Sequence, residues 1–137
     1  MTHAREMLDT YPGAAALDAS TLVECIDACF DCSESCNACA DACLGEDDPK
    51  SLARCIRLNL DCADVCDTTG KVLSRQTAFE PEMARAVLQA CAQACGLCAE
   101  ECEHHAMEMN LEHCRVCAEA CRRCEDACNN ALSELAA

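Results

Sequence analysis

The cysteines of this chain step at intervals of three and four: Cys25, Cys29, Cys32, Cys36, Cys39 and Cys43 are separated by 4, 3, 4, 3 and 4 residues. Residues three and four apart share one face of an α-helix. Alternating the two steps draws the buried seam that Leu or Ile normally fills where helices pack. Cys91, Cys95, Cys98 and Cys102 repeat the rhythm, Cys114, Cys117, Cys121, Cys124 and Cys128 repeat it again, and Cys55, Cys62 and Cys66 give a sparser version. Thiols stand on helix seams where hydrocarbon is the rule.

The rest of the sequence narrows what those seams can do. At 137 residues with no break in composition, the chain is expected to form one domain over 1–137. Its 52% hydrophobic content consists largely of Cys and Ala, with aromatics at 2% and no Trp. A metal-free core would therefore bury mostly small side chains, each contributing less than the roughly 1.5 to 3 kcal/mol of a buried Leu or Phe. A formal net charge of −15 argues against nucleic acid, whose binders concentrate Lys and Arg on one face, and no nucleic-acid partner is expected. The first nine residues, Met1 to Asp9, lack the apolar stretch of a secretory signal, and no segment reaches the roughly 18 uninterrupted apolar residues that span a bilayer. The expectation is a cytoplasmic protein with no membrane partner. In that reducing compartment, cysteines serve metal or redox chemistry rather than a disulfide scaffold.

Turn and cap signals divide the seams among four helices. A short helix over 1–9, interrupted by Tyr11-Pro12-Gly13, forms an N-terminal appendage over 1–19. Thr21-Leu22-Val23-Glu24 has capping-box form and opens a helix that ends at Leu44 before Gly45. Asp48-Pro49 opens a second helix reaching about Arg75, with Gly70 weakening its last turns. Glu80-Pro81 opens a third that runs at least through Cys102, and a fourth spans about Glu112 to Leu135, which leaves His104 to Leu111 as the turn between them. Short connections then predict an all-α, antiparallel up-down-up-down four-helix bundle over about 21–135. One end would carry Leu22, Leu73, Leu88 and Leu135 as an apolar plug. The other would gather Cys43, Cys55, Cys102, Cys114 and the acidic loop Glu46-Asp47-Asp48 beside His104, His105, Met107, Met109 and His113.

A tube lined with thiols suits soft ions: Cu(I), Zn(II) or iron-sulfur clusters. Exchanging a thiol proton for Cu⁺ changes the charge by nothing, so about one copper per thiol can enter a poorly solvated core. Four thiolates around Zn(II) leave two negative charges, which are costly to bury. The chain has 10 Lys and Arg, none of them on a seam. At the polar end, extending the third seam past Cys102 lands on His105 and Met109, and extending the fourth backward from Cys114 lands on Asn110 and Met107. His104, His105, Met107, Met109 and His113 are thus candidate first contacts for metal, against the alternative of an ordinary exposed polar turn. Asp61, next to Cys62, is either a ligand at the core edge or part of a solvated helix face. The acids Glu46, Asp47, Asp48, Glu103, Glu108 and Glu112 either concentrate cations at the mouth or are plain surface charge.

These residues resemble a known family. The run Val23-Glu24-Cys25-Ile26-Asp27-Ala28-Cys29, the run Cys32-Ser33-Glu34-Ser35-Cys36-Asn37-Ala38-Cys39-Ala40-Asp41-Ala42-Cys43 and the Cys-rich fourth helix are similar to the bacterial copper storage proteins of the cytosolic type. The resemblance spans essentially the whole chain. It implies a four-helix bundle binding many Cu(I) ions along its interior, a homotetramer, His, Met or acidic residues at one mouth, and a Cu(I)-ligand role for all 18 cysteines. Copper would arrive from a copper chaperone or a low-molecular-weight thiol. Asn59, Thr69 and Leu73 interrupt the cysteine ladder of the second helix and predict clusters unevenly spread along the tube. Two other functions stay open: a general soft-metal detoxifier for Zn(II) or Cd(II), and an iron-sulfur electron carrier. The carrier is disfavoured because ferredoxins group cysteines in loops around a compact cluster, whereas these are spread over helices. No nucleophile triad, phosphate loop or carboxylate pair points to an enzyme.

Overall fold

A computed structural model describes residues 2–136. Its elements are α1 (Ala4–Asp9), α2 (Ala19–Leu44), a 3-10 turn (Pro49–Leu52), α3 (Ala53–Ser74), α4 (Pro81–Met109) and α5 (Glu112–Ala136). Each long helix packs on two others, α2 and α4 both lying between α3 and α5. Facing sulfurs give the direction: as α2 ascends through Cys25, Cys32 and Cys39, α5 descends through Cys128, Cys121 and Cys114. On the other side Cys55, Cys62 and Cys66 of α3 meet Cys102, Cys95 and Cys91 of α4. The fold is the antiparallel four-helix bundle that the cysteine spacing predicts.

The helix ends differ from expectation in instructive ways. α2 begins ahead of Thr21 because Asp18 is its N-cap, its carboxylate accepting from the backbone N–H of Ser20 and Thr21 at 3.0 and 3.2 Å. Glu24 is drawn away from any capping box by Arg123, whose Nε lies 2.7 Å from it. Asp48 makes no side-chain cap, and Pro49 opens a single 3-10 turn before α3 proper. The turn expected from His104 to Leu111 shrinks to Asn110 and Leu111, because every residue from 104 to 109 continues the helix until Asn110 adopts a left-handed φ of 53°. Gly70 is a packing requirement: a Cβ there would sit 2.9 Å from the Phe30 ring.

Leu22, Leu73, Leu88, Ala84 and Ala131 are buried where α2 and α4 begin and α3 and α5 end. Leu132 and Leu135 pack against them, completing the apolar plug. The N-terminal segment is tied to this end. Gln76 accepts from the backbone N–H of Ala16 at 2.9 Å and donates to the Leu73 carbonyl at 2.7 Å, while Tyr11 meets Thr77 at 2.9 Å and Thr2 donates to Asp27. Ala4, Leu8, Ala15 and Leu17 pack on the core. The part of the short helix expected at Met1 lies outside the described residues.

Candidate metal centre

All 18 cysteines are buried and none is in a disulfide. Because each helix presents its thiols every three or four residues, and the antiparallel register sets α2 against α5 and α3 against α4, the sulfurs stack into a continuous column. From the plug outward, Cys25 and Cys128 are 3.9 Å apart, Cys29 and Cys124 3.7 Å, Cys32 and Cys121 3.6 Å, Cys36 and Cys117 3.7 Å, and Cys39 and Cys114 3.9 Å. The other helix pair contributes Cys66–Cys91 at 3.6 Å, Cys62–Cys95 at 3.8 Å and Cys55–Cys102 at 3.8 Å. Cross-links join the two ladders: Cys36 lies 3.9 Å from Cys98, and Cys32 lies 3.9 Å from Cys62. These are contact separations between sulfurs, and a thiol is a weak S–H donor and a weak acceptor.

No Lys or Arg is buried among the described residues, so the column holds no cation to balance thiolates. Burial pushes the Cys43 thiol up, and Cys55 and Cys39 push in the same direction. Shedding many protons together without a metal would leave repelling charges on buried sulfurs. A column of this kind stays neutral while empty and stays neutral if each departing proton is replaced by one monovalent cation.

At the end opposite the plug, His113 closes over the sulfurs. Its Nδ1 lies 3.4 Å from the Cys39 sulfur and 3.6 Å from that of Cys114, while Nε2 is held 2.8 Å from Glu46 of the acidic loop. Cys39, Cys43, Cys114 and His113 bring their donor atoms within 4.8 Å of one another. Partial burial opposes protonation of His113, but hydrogen bonds with Cys39 and Glu46 outweigh it and raise the imidazole above its ordinary value. His105 is more deeply buried than His113. Its Nε2 is held 2.8 Å from Glu101, itself contacted by Arg54, and its Nδ1 is a buried nitrogen with no hydrogen-bond partner.

The remaining polar-end candidates lie apart from the column. Met107 is 80% exposed, Met109 is 45% exposed and His104 is on the surface. Backward extension of the fourth seam to Met107 fails because α5 starts at Glu112, so Met107 belongs to the last turn of α4 and faces out. Asp61 takes the solvated-face alternative: it is exposed, with both carboxylate oxygens accepting from Arg57 Nε at 2.9 and 3.0 Å. Glu103 and Glu112 are likewise engaged, by Arg122 at 2.7 Å and Arg115 at 2.6 Å. Hydrogen bonding to Arg122 holds the Glu103 carboxyl below its usual value.

Asn59 is the residue whose importance the spacing does not reveal. It has no solvent exposure and sits where α3 skips a cysteine. Its Oδ1 accepts from Cys98 at 3.0 Å, Cys117 at 3.1 Å and Cys102 at 3.7 Å, and its Nδ2 faces Cys55 at 3.5 Å. The signal was a polar residue on a seam; which thiols surround it depends on two other helices.

A model of the copper storage protein family matches residues 18–133, from the N-cap of α2 into the last turn of α5. The chain belongs to the copper storage protein family. Two solved structures of Streptomyces lividans proteins resemble it closely. Ccsp, a copper storage protein solved with 10 copper equivalents, is 48% identical with a TM-score of 0.92, over 96% of this chain and 98% of that one. A structure of copper loading to a cytosolic copper storage protein, with five coppers, is 52% identical with a TM-score of 0.80, over 83% of this chain and 93% of that one. An uncharacterized cysteine-rich protein of Bacillus subtilis, YhjQ, is 37% identical over 91 residues, or 66% of this chain and 77% of the relative.

Proposed function

We propose that this member of the copper storage family is a cytoplasmic reservoir that holds Cu(I), about one ion per column thiol, and does no catalysis. The carrying observation is the column: 18 buried thiols stacked through the bundle, with no buried Lys or Arg beside them among the described residues. Only a monovalent soft cation can fill such a column ion by ion at constant charge, each Cu⁺ displacing one thiol proton to solvent. Low-coordinate Cu(I) also suits sulfurs that come in pairs and triples from neighbouring turns. Family membership and the copper-bearing Streptomyces relatives support the same reading.

In this reading all 18 cysteines are ligands, His113 and His105 receive copper at the mouth, and the plug closes the far end. The His113 imidazole touches Cys39 and Cys114, so an ion taken there is already within reach of the first thiols. The unpartnered Nδ1 of His105 supports a second receiving atom. Met109, half exposed on the following turn, can assist; His104 and Met107 are too far out on the surface to share the column. A copper chaperone or a low-molecular-weight thiol would deliver the ion. Exposed Leu44, Leu60, Leu97 and Val116 leave apolar surface for assembly of several copies, a tetramer by family resemblance.

The test is anaerobic Cu(I) titration against a competing chelator. Binding of well over ten ions per chain before the chelator responds is expected; saturation after a few ions would overturn the proposal. A broader soft-metal sink is the second reading, favoured by groups such as Cys32, Cys62, Cys66 and Cys95, whose sulfurs lie within 4.8 Å of one another. Competition between Cu(I) and Zn(II) separates the two.

A further inference from the structure

Among the described residues, Asn59 faces column sulfurs on α3, α4 and α5 together without being a thiol or a histidine. Three sulfurs crowd its carbonyl oxygen, each placed to donate an S–H, while its amide nitrogen faces only Cys55. That arrangement suits the empty column, in which the thiols are donors. It does not suit the filled one: once Cys98, Cys102 and Cys117 have exchanged protons for copper, their electron-rich sulfurs would face the negative end of the amide dipole at 3.0 to 3.7 Å.

We propose that Asn59 is a positioning residue that serves both states of the column by turning its amide over. Rotation by half a turn about the Cβ–Cγ bond exchanges Oδ1 and Nδ2 with almost no change of shape. The NH₂ group then donates to the copper-bound sulfurs of Cys98 and Cys117, and the oxygen faces Cys55. Each Cu⁺ that binds releases one thiol proton to solvent and no electron moves, so the side chain adapts to the change from S–H to S–Cu without carrying charge. A carboxamide is the only neutral side-chain type that presents an acceptor and a two-proton donor at equivalent positions. A leucine of similar volume offers neither. A cysteine there would add a ligand but leave the layer without a strong donor to its sulfurs. The inference rests on the reading that the column takes Cu(I), and it adds a non-ligand that sets the affinity of one layer.

The loaded wild-type protein supplies the first test. Asparagine-selective ¹⁵N labelling reports the Asn59 side-chain NH₂ pair, assigned by its loss in Asn59→Leu. A downfield shift of these protons between the empty and the filled protein is expected, because they gain sulfur acceptors. An unchanged pair at full loading, or a copper-loaded crystal structure with Oδ1 bonded to copper, would overturn the proposal. The second test is Asn59→Leu itself. Its empty form should melt within a few degrees of wild type, because only weak S–H donors lose a partner. The ions held at Cys98 and Cys117 should bind about tenfold or more weakly, the loss expected for a hydrogen bond to a charged group. A purely structural role predicts the reverse, a lowered melting point with all copper affinities intact. Low capacity in the unaltered protein would sink the storage reading itself, whereas full capacity with identical Asn59→Leu affinities would sink this inference alone.

Discussion

At one end of the bundle Leu22, Leu73 and Leu88 close the interior with hydrocarbon, and Gln76 ties the N-terminal segment across it; at the other, Cys39, Cys43 and Cys114 lie beneath a half-buried imidazole held by Glu46. The same four helices run through both ends. The plug contains no soft donor and contributes to stability in the usual way, by removing apolar surface from water. The mouth buries Leu52 and packs Leu111 against the core, and beside them it offers atoms that an incoming ion can use. Separating the two jobs lets the middle of the bundle be built of thiols, which would make a poor hydrophobic core unaided.

The sharpest way to break this comparison is to empty the middle. Replacing Cys32, Cys36, Cys62 and Cys121, whose sulfurs share one 4.8 Å neighbourhood, by alanine should remove about four ions from the capacity, read by the chelator titration. The loaded variant should also lose about a fifth of the stabilisation that copper confers on wild type, since each independent site filled at 100 times its dissociation constant adds about 2.7 kcal/mol. Next in size, Leu73→Ala at the plug should cost the empty protein about 2 to 5 kcal/mol in denaturant unfolding while leaving copper capacity unchanged. A loss of capacity there would mean that the plug is part of the store. Gly70→Ala drives a methyl against the Phe30 ring and should cost about 1 to 3 kcal/mol, again with capacity intact.

At the mouth, His113→Ala and His105→Ala should slow copper uptake in stopped-flow mixing severalfold and leave the final capacity nearly intact; Met109→Ala should do less, and His104→Ala and Met107→Ala nothing. The smallest expected effect is that of pH. Hydrogen bonds with Cys39 and Glu46 raise the His113 pKa above 6.5, and an imidazolium has no lone pair for copper. Uptake should therefore slow as pH falls through that raised value, starting above 6.5, and the slope should flatten in His113→Ala. A variant with the same pH slope as wild type would move the receiving role elsewhere.

The helices and their seams were readable from the cysteine steps because a period of three and four admits one arrangement of side chains, and all 18 thiols do face inward. The plug was readable for the same reason. What could not be read depended on partners outside the helix in question. Asp61 looks like a neighbour of Cys62 along the chain, but one step is about 100° around a helix, and Arg57 one turn away captures it on the outer face. Met107 looked like a seam residue when the fourth seam was extended backward across the turn, but it belongs to the last turn of α4 and is exposed. Gly70 read as a weak point until Phe30 of α2 was placed against it, and Asn59 read as a gap in a ladder until sulfurs from α4 and α5 were found around its oxygen. Asp18, not Thr21, caps α2, because its carboxylate accepts from the Ser20 and Thr21 amides and so starts the helix two residues earlier.

The central claim is that copper resides inside the bundle, between sulfurs of different helices, and enters from the histidine end. Anomalous scattering at the copper edge from crystals loaded with a few equivalents under anaerobic conditions tests it most directly. The account predicts peaks confined to the axis between Cys25 and Cys43, bonded to sulfur, with none at the leucine plug. Peaks on the outer faces, at Asp61 or the exposed methionines, with an empty axis would contradict it.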